Sequence, residues 1–214
     1  MPNSLRITEI FYSLQGESNT VGIPTVFIRL TGCPLRCVYC DSSYAFAGGK
    51  KMSLANIINE VEKYSCRYIT VTGGEPLAQP TCPTLMTQLL DDGYIVSLET
   101  SGALDISGVD PRVVKVMDIK TPSSGEVEKN RYANIEYLTA QDQIKFVIGN
   151  TEDYNWSKNI MKEYDLLKRC QILFSPIAGQ QNPTELAEKI LHDKLPVRFQ
   201  LQLHKLLWGD AQGK

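Results

Sequence analysis

Seven short segments of this chain are rich in Val, Ile, Leu and aromatic residues, and Gly, Pro, Asn or Asp residues separate them. Most are nearly continuous apolar runs, which are typical of strands in parallel sheets. The predicted strands are "TVFIRL" (25–30), "RYITVTGG" (67–74), "YIVSLETSG" (94–102), "VVKVMDIK" (113–120), "QIKFVIGN" (143–150), "QILFSPI" (171–177) and "VRFQLQLH" (197–204).

Four segments between these strands place apolar residues at helical spacing. A Ser, Asn or Pro at the start of a segment and a Gly after it mark helix ends. The predicted helices are 53–64 with Ser53 as N-cap, a segment from Pro83 to Gly93, a segment carrying Trp156, Ile160, Met161 and Tyr164, and a segment starting at Asn182 and Pro183.

The alternation of strands and helices predicts an α/β fold with a mostly parallel sheet and right-handed crossovers. Six or seven units are too few for a closed eight-stranded barrel, so a partial barrel or an open twisted sheet remains. In both architectures functional residues lie at the carboxyl ends of the strands. The unusual segments "TGGEP", "ETSG" and "DIKTPSSG" fall at such ends.

Composition changes this picture little. The apolar share of 43% and the net charge of −2 are those of an ordinary globular chain, so we expect neither a nucleic-acid nor a membrane partner. The first residues lack the pattern of a signal peptide, and no apolar run approaches the length of a membrane span. We therefore expect a cytoplasmic protein with reduced thiols.

Three of the six cysteines lie within "GCPLRCVYCD", residues 32–41, with the spacing Cys33-x3-Cys37-x2-Cys40. Clustered thiols in a reducing compartment favour a metal site or catalysis over disulfides. Three thiolates can hold an iron–sulfur cubane and leave its fourth iron open. A zinc ion is the alternative, and it would need a fourth ligand from Cys66, Cys82, Cys170, His192 or His204.

Two motifs together resemble the radical S-adenosylmethionine superfamily: the cysteine motif, with Tyr39 before its last cysteine, and "TGGEP" after the next strand. The resemblance implies a partial (β/α)6 barrel. It also implies a [4Fe–4S] cluster on Cys33, Cys37 and Cys40 whose open iron binds S-adenosylmethionine. Reductive cleavage of that molecule would give a radical that abstracts hydrogen from the substrate.

The same resemblance implies further contacts to S-adenosylmethionine. A carboxylate suits an ammonium group, and glycines let the backbone approach a ligand closely. The implied contacts are Tyr39 near the adenine, Gly73, Gly74 and Glu75 at the methionine amino group, Glu99 and Ser101 at the ribose hydroxyls, and Ser123 at the methionine carboxylate.

Most of the chain, residues 5–208, closely resembles the 7-carboxy-7-deazaguanine synthase family. The matching segments are "SLQGE", "VGIPTVFIRLTGC", "CDSSYAF", "VTGGEPLAQ", "SLETSG", "DIKTPSSG" and "LQLHK". The implied reaction is a radical ring contraction of 6-carboxy-5,6,7,8-tetrahydropterin to 7-carboxy-7-deazaguanine with loss of ammonia, on the pathway to queuosine. S-adenosylmethionine would be regenerated, and Mg²⁺ would be required.

The residues present can meet the needs of such a substrate. Paired donors and acceptors can read the pterin edge, and a guanidinium can bind a carboxylate with two parallel hydrogen bonds. The expected substrate contacts are Gln15, Gly16 and Glu17 at the pterin edge, Arg29 at the carboxylate, Thr72 beside the ring, and His204 at the end of the last strand.

The resemblance also sets the expected organisation of the chain. One domain would span 1–214, with an N-terminal substrate-binding segment (1–24), a partial barrel (25–204) and a C-terminal tail (205–214).

Ser42 offers Mg²⁺ a hard oxygen ligand. The expected partners are a flavodoxin or ferredoxin-type electron donor and a second copy of the chain. Ser18 stands where family members commonly have glycine.

Two other functions are consistent with the cysteine motif. A glycyl-radical-activating enzyme shares the cluster and a short barrel, but it acts on a polypeptide and does not need "SLQGE" or a cation such as Arg29. A non-catalytic iron–sulfur or zinc module would leave "TGGEP", "ETSG" and "DIKTPSSG" without a role.

Overall fold

Nine strands form one sheet in the computed structural model, which describes residues 3–214. They are β1 (Ser4–Leu14), β2 (Pro24–Leu30), β3 (Lys50–Ser53), β4 (Tyr68–Gly73), β5 (Ile95–Thr100), β6 (Val114–Asp118), β7 (Gln143–Ile148), β8 (Gln171–Pro176) and β9 (Arg198–Phe199). Their order is β3-β1-β2-β4-β5-β6-β7-β8-β9. The pairs that involve β1 are antiparallel, and all the others are parallel.

Five α-helices accompany the strands within the described residues: α1 (Leu54–Glu62), α2 (Cys82–Asp91), α3 (Thr151–Glu163), α4 (Pro183–His192) and α5 (Leu203–Trp208). The predicted caps are confirmed. The side chain of Ser53 accepts a hydrogen bond from the Asn56 N–H, and that of Asn182 accepts from the Thr184 N–H. Residues 3–214 contain no helix with the length and hydropathy of a membrane-spanning segment.

The two faces of the parallel strands serve different purposes. Successive side chains of a strand point to opposite faces. In β2, Val26, Ile28 and Leu30 are fully buried in the apolar core, which also contains the inner sides of α1 to α4. Phe27 and Arg29, which alternate with them, line an open cleft instead. The fold is therefore a mostly parallel partial barrel with a polar concave side.

Six of the seven predicted strands are confirmed, with ends shifted by at most two residues. The seventh is wrong in most of its length, because only Arg198–Phe199 pairs with β8. The prediction that His204 ends a strand is therefore also wrong: His204 lies in α5. The chain leaves the sheet there because the N–H of Leu203 donates to the carbonyl of Gly16, which lies outside the sheet.

Candidate active site

A cleft of about 720 Å³ opens at the carboxyl ends of the parallel strands. It brings together residues that are almost 190 positions apart in the chain. The predicted site residues that line it are Gln15, Gly16, Glu17, Arg29, Cys33, Cys37, Tyr39, Cys40, Ser42, Thr72, Gly73, Gly74, Glu99, Ser101 and His204. Glu75 and Ser123 are the two predicted site residues that do not line it.

The cysteine-bearing loop, residues 33–40, is fixed at its start by the turn that follows β4. The N–H of Gly74 donates to the Leu30 carbonyl at 3.2 Å, and the N–H of Glu75 donates to the Gly32 carbonyl at 2.8 Å. A Cβ atom on Gly74 would lie only 2.7 Å from the carbonyl carbon of Gly32. Glycine is therefore needed for this close approach of two backbones.

Cys33, Cys37 and Cys40 are free thiols on one side of the cleft. Burial raises the pKa of all three, to about 11 at Cys37. The donor set fits a cubane cluster, in which each thiolate binds a different iron and the three need not converge on one point. Among residues 3–214, no three Cys, His, Asp or Glu side chains are grouped as ligands of a single metal ion.

Glu75 is fully buried, and protein donors surround its carboxylate. It accepts hydrogen bonds from the Leu77 N–H at 3.0 Å, the Thr100 hydroxyl at 2.9 Å and the Ser101 N–H at 2.7 Å. Glu75 thus ties the turn after β4 to the end of β5 and holds Ser101 at the cleft wall. Its assignment to the methionine amino group stays a prediction.

Ser123 is held by its neighbours outside the cleft. Its N–H donates to Asp153 Oδ1 at 2.9 Å, and its hydroxyl accepts from Asn150 Nδ2 at 2.9 Å. Both partners belong to the start of α3. These contacts give Ser123 a role in joining the loop after β6 to α3, and its contact with the methionine carboxylate stays a prediction.

Gln15, Thr72 and Glu99 form one hydrogen-bonded group on the concave side. Gln15 is 2% exposed and donates from Nε2 to Glu99 Oε1 at 3.3 Å, while the Thr72 hydroxyl donates to Glu99 Oε2 at 2.9 Å. Burial, and next the Glu17 carboxylate, raise the pKa of Glu99. Glu99, which is expected at the ribose of S-adenosylmethionine, is therefore hydrogen-bonded directly to Gln15 and Thr72, which are expected at the pterin.

Four charged side chains of alternating sign cross the mouth of the barrel, and three of them are absent from the predicted site. Lys145 Nζ lies 2.6 Å from Glu17 Oε2 and 3.6 Å from Asp118 Oδ2, and Lys120 Nζ lies 2.9 Å from Asp118 Oδ2. Burial alone would raise the pKa of Asp118, but Lys120 and Lys145 hold it below its ordinary value. A lone lysine inside an apolar strand, as in "QIKFVI", was the available signal.

Arg29 is the next-to-last residue of β2 and lies beside the cysteine-bearing loop. Its Nε donates to Glu9 Oε1 at 2.7 Å, and its Nη1 lies 3.4 Å from the Ser42 hydroxyl. That hydroxyl donates to Asp41 Oδ1 at 2.9 Å. Ser42 and Asp41 thus present two hard oxygen donors side by side, and this donor chemistry fits Mg²⁺.

The N-terminal and C-terminal segments meet above the cleft. Gly16 packs so tightly against His204 that a Cβ atom on Gly16 would overlap the imidazole ring. Two residues further on, the N–H of Ser18 donates to Gln200 Oε1 at 2.7 Å, and Gln200 Nε2 donates to the Ser18 carbonyl at 2.8 Å. Ser18 has φ +69°, in the left-handed region that favours glycine.

Comparisons with known proteins agree with this arrangement. The family model described as "Radical SAM superfamily" matches residues 27–123. A 7-carboxy-7-deazaguanine synthase of Chlorobaculum tepidum is 44% identical over 98% of this chain and 97% of that relative. A 7-carboxy-7-deazaguanine synthase of Koribacter versatilis is 41% identical over 95% of this chain and 97% of that relative. The crystal structure of QueE from Escherichia coli shares the fold, with a TM-score of 0.79 and 23% identity over 94% of this chain and 95% of that one.

The partial barrel, the three thiols on the loop after β2 and the GGE turn after β4 define a radical S-adenosylmethionine protein. Such a protein carries a [4Fe–4S] cluster and binds S-adenosylmethionine. The relatives match over nearly their whole length and at well above 30% identity. The chain therefore belongs to the 7-carboxy-7-deazaguanine synthase family.

Proposed function

We propose that the chain converts 6-carboxy-5,6,7,8-tetrahydropterin into 7-carboxy-7-deazaguanine by a radical ring contraction with loss of ammonia, in queuosine biosynthesis. The full-length relationship to synthases of that name carries this proposal. The glycyl-radical-activating enzyme and the non-catalytic module have no comparable support.

Cys33, Cys37 and Cys40 would hold the cluster. When bound, the cluster and S-adenosylmethionine supply the radical that abstracts a hydrogen atom from the substrate. The chain's own contribution is to hold the cysteine-bearing loop against the GGE turn and to present Ser101 at the cleft wall. The remaining implied contacts of S-adenosylmethionine are Tyr39, Gly73, Gly74, Glu75, Glu99 and Ser123.

The substrate side of the cleft would orient the pterin. Glu17 and Gln15 would read its amide and amino edge, with Gly16 allowing close approach, and Arg29 would bind its carboxylate. Lys145 supports Glu17 in this role, because its ammonium group lies against the Glu17 carboxylate at 2.6 Å. Precise orientation matters because a hydrogen atom is transferred only between closely placed atoms.

Three finer points belong to the same proposal. Ser42 would bind Mg²⁺, which keeps several waters and takes further ligands from the substrate. A flavodoxin or ferredoxin-type protein would supply electrons, and a second copy of the chain would complete a homodimer. We place the protein in the cytoplasm because three free thiols need a reducing compartment to remain available for iron.

Anaerobic turnover tests the proposal. Reconstituted protein is incubated with S-adenosylmethionine, a reductant, Mg²⁺ and the carboxytetrahydropterin, and the products are analysed by mass spectrometry. We expect 7-carboxy-7-deazaguanine and ammonia, with S-adenosylmethionine not consumed in proportion to product. Cys33→Ala should abolish turnover, whereas Cys66→Ser, which changes a thiol outside the cleft, should retain most of it. Absence of the product with fully loaded wild type would refute the proposal.

A further inference from the structure

The guanidinium group of Arg29 has little freedom to turn. Its Cζ atom lies 5.6 Å from the ring centroid of Phe11 and 5.7 Å from that of Tyr44. Cations are attracted to aromatic faces at such distances, and the side chain is only 14% exposed. Two aromatic rings therefore restrict the guanidinium at the wall of the cleft.

Glu9 takes one edge of that guanidinium. Its Oε1 atom accepts a hydrogen bond from Arg29 Nε at 2.7 Å and another from the Tyr44 hydroxyl at 2.7 Å. Glu9 and Arg29 are directly opposite each other in the β1–β2 pair. An irregularity between Ile7 and Glu9 shifts the register of β1 at this point, and such bulges redirect side chains.

The pairing leaves Arg29 with a usable fork. An arginine presents five donors in a rigid plane. With Nε engaged by Glu9, the two Nη atoms remain at the opposite edge. Among residues 3–214, Nη1 makes only the long 3.4 Å contact to Ser42. Nη2 donates no hydrogen bond within the described part of the chain, so this edge is available for a planar carboxylate.

We propose that Glu9 and Tyr44 are positioning residues, which hold Arg29 so that its Nη1–Nη2 edge meets the substrate carboxylate. This inference rests on the proposed function, since it takes the carboxylated pterin as the ligand of Arg29. Glu9 acts here as a hydrogen-bond acceptor for Nε and for the Tyr44 hydroxyl. The side-chain oxygen of a glutamine can do the same, whereas alanine can do neither.

Three variants separate positioning from other roles: Glu9→Ala, Glu9→Gln and Tyr44→Phe. Two lost acceptor contacts in Glu9→Ala should raise the KM for the carboxytetrahydropterin by about tenfold or more, because the fork is no longer oriented. Glu9→Gln should stay within about threefold of wild type. Tyr44→Phe keeps its ring beside Arg29 and loses one hydrogen bond, so we expect its KM for the carboxytetrahydropterin to rise about threefold.

Two further measurements make the test specific. The affinity for a tetrahydropterin without the carboxylate should be the same in all variants to within about twofold, because that ligand does not use the fork. Equilibrium binding of S-adenosylmethionine and the iron content should match wild type. Glu60→Ala, which removes a surface ion pair with Lys63, is the matched control and should change none of these values.

Several outcomes would overturn the inference. A Glu9→Gln variant as impaired as Glu9→Ala would mean that the charge of Glu9 matters and not its position. If Glu9→Ala lost as much affinity for the tetrahydropterin without a carboxylate as for the carboxylated one, Glu9 would have a general structural role. If Glu9→Ala does not fold, an unchanged KM in Tyr44→Phe together with a large loss in Glu9→Gln is still decisive against it. Wild type that makes no 7-carboxy-7-deazaguanine refutes the proposed function itself, whereas active wild type with an unchanged Glu9→Ala KM refutes only this inference.

Discussion

The side chains of Glu17, Lys145, Asp118 and Lys120 form a row of alternating charge, and each is at most 15% exposed. Charges with so little water contact must be paired, because the loss of hydration costs several kcal/mol per ion. Replacing one of these four side chains would leave its neighbours unpaired, and breaking a buried ion pair in this way lowers the free energy of unfolding by about 3–5 kcal/mol. At the residue scale, the mouth of this barrel is therefore a pre-formed polar site.

Ser42 lends itself to a prediction about the metal. If its hydroxyl binds Mg²⁺, Ser42→Ala should raise the Mg²⁺ concentration required for half-maximal turnover by about tenfold or more, since a direct oxygen ligand is lost. Ser42→Thr keeps the oxygen and should behave like wild type. Ser42→Cys should shift the preference towards softer divalent ions. The measurement is a titration of activity against Mg²⁺, with the absorption spectrum of the cluster recorded in parallel.

The neighbouring Ser43 supplies a matched control, because it is exposed and does not line the cleft. Ser43→Ala should leave the Mg²⁺ requirement unchanged. The assignment of Ser42 fails if Ser42→Ala titrates like wild type, or if Ser43→Ala reproduces the shift. A change in the cluster spectrum of Ser42→Ala would mean that the substitution disturbs the cysteine-bearing loop instead.

Sequence reasoning identified residues at strand ends more readily than residues within strands. Lys145 was missed because a single lysine in an apolar strand does not reveal what it faces. Lys115 shows the ambiguity: it too lies inside an apolar strand, yet it pairs with the buried Asp142 at 3.2 Å and does not line the cleft. A lysine inside a strand therefore does not reveal which face of the sheet it lies on, and only the fold shows that Lys145 reaches the mouth whereas Lys115 does not.

At the scale of elements, the cysteine-bearing loop is held from two sides. The GGE turn anchors its start, and the N–H of Val38 donates to the Ser124 carbonyl in the loop after β6 at 3.0 Å. Gly73, with φ +149°, has a backbone conformation that other residues rarely adopt. The glycines of the motif therefore have a structural reason besides any contact with a ligand.

Gly74→Ala should separate this turn from the cysteine-bearing loop. Its Cβ atom would lie 2.7 Å from the Gly32 carbonyl carbon and 2.8 Å from Cys33 Cβ, so one backbone segment must move. We expect a marked loss of bound iron after reconstitution, measured as iron per chain and as cluster absorption. Gly108→Ala is the control, because a Cβ atom there would meet no atom of residues 3–214 within 4 Å. Full iron content in Gly74→Ala would contradict the proposed role of this close approach.

Elements with a regular pattern were predicted well, and irregular ones were not. β1 was missed because its register shift between Ile7 and Glu9 breaks the alternation that identifies a strand. Residues 197–204 do alternate, and this alternation predicted a strand that is mostly absent. There the backbone and the side chain of Gln200 are bonded to different partners, Phe174 and Ser18. Local pattern cannot anticipate contacts between segments that are 182 residues apart.

At the scale of the whole molecule, the open sheet has β3 at one edge and β9 at the other within residues 3–214. The segment after β1 reaches across to the segment after β9, where Gln200 binds both backbone groups of Ser18 and Gln202 Nε2 donates to Glu17 Oε1 at 2.8 Å. The expected substrate-binding residues 15–17 therefore depend on the far end of the chain for their position. The segments "SLQGE" and "LQLHK", from opposite ends of the chain, are thereby brought together at one wall of the cleft.

Gln200→Ala tests this dependence. Gln200 is 5% exposed, and its removal leaves the Ser18 N–H and carbonyl without their partner, at about 1–3 kcal/mol for each unsatisfied buried group. We expect a lower melting temperature and a KM for the carboxytetrahydropterin raised by about tenfold or more, because residues 15–17 lose the anchor that Gln200 gives them through the adjacent Ser18. Binding of S-adenosylmethionine and iron content should change little, since the cysteine-bearing loop does not rest on Gln200. Gln141→Ala, which removes an exposed hydrogen bond to Pro111, should alter neither the KM nor the iron content. If Gln200→Ala is less stable but keeps the wild-type KM, the bridge between the two segments stabilises the fold without positioning the substrate.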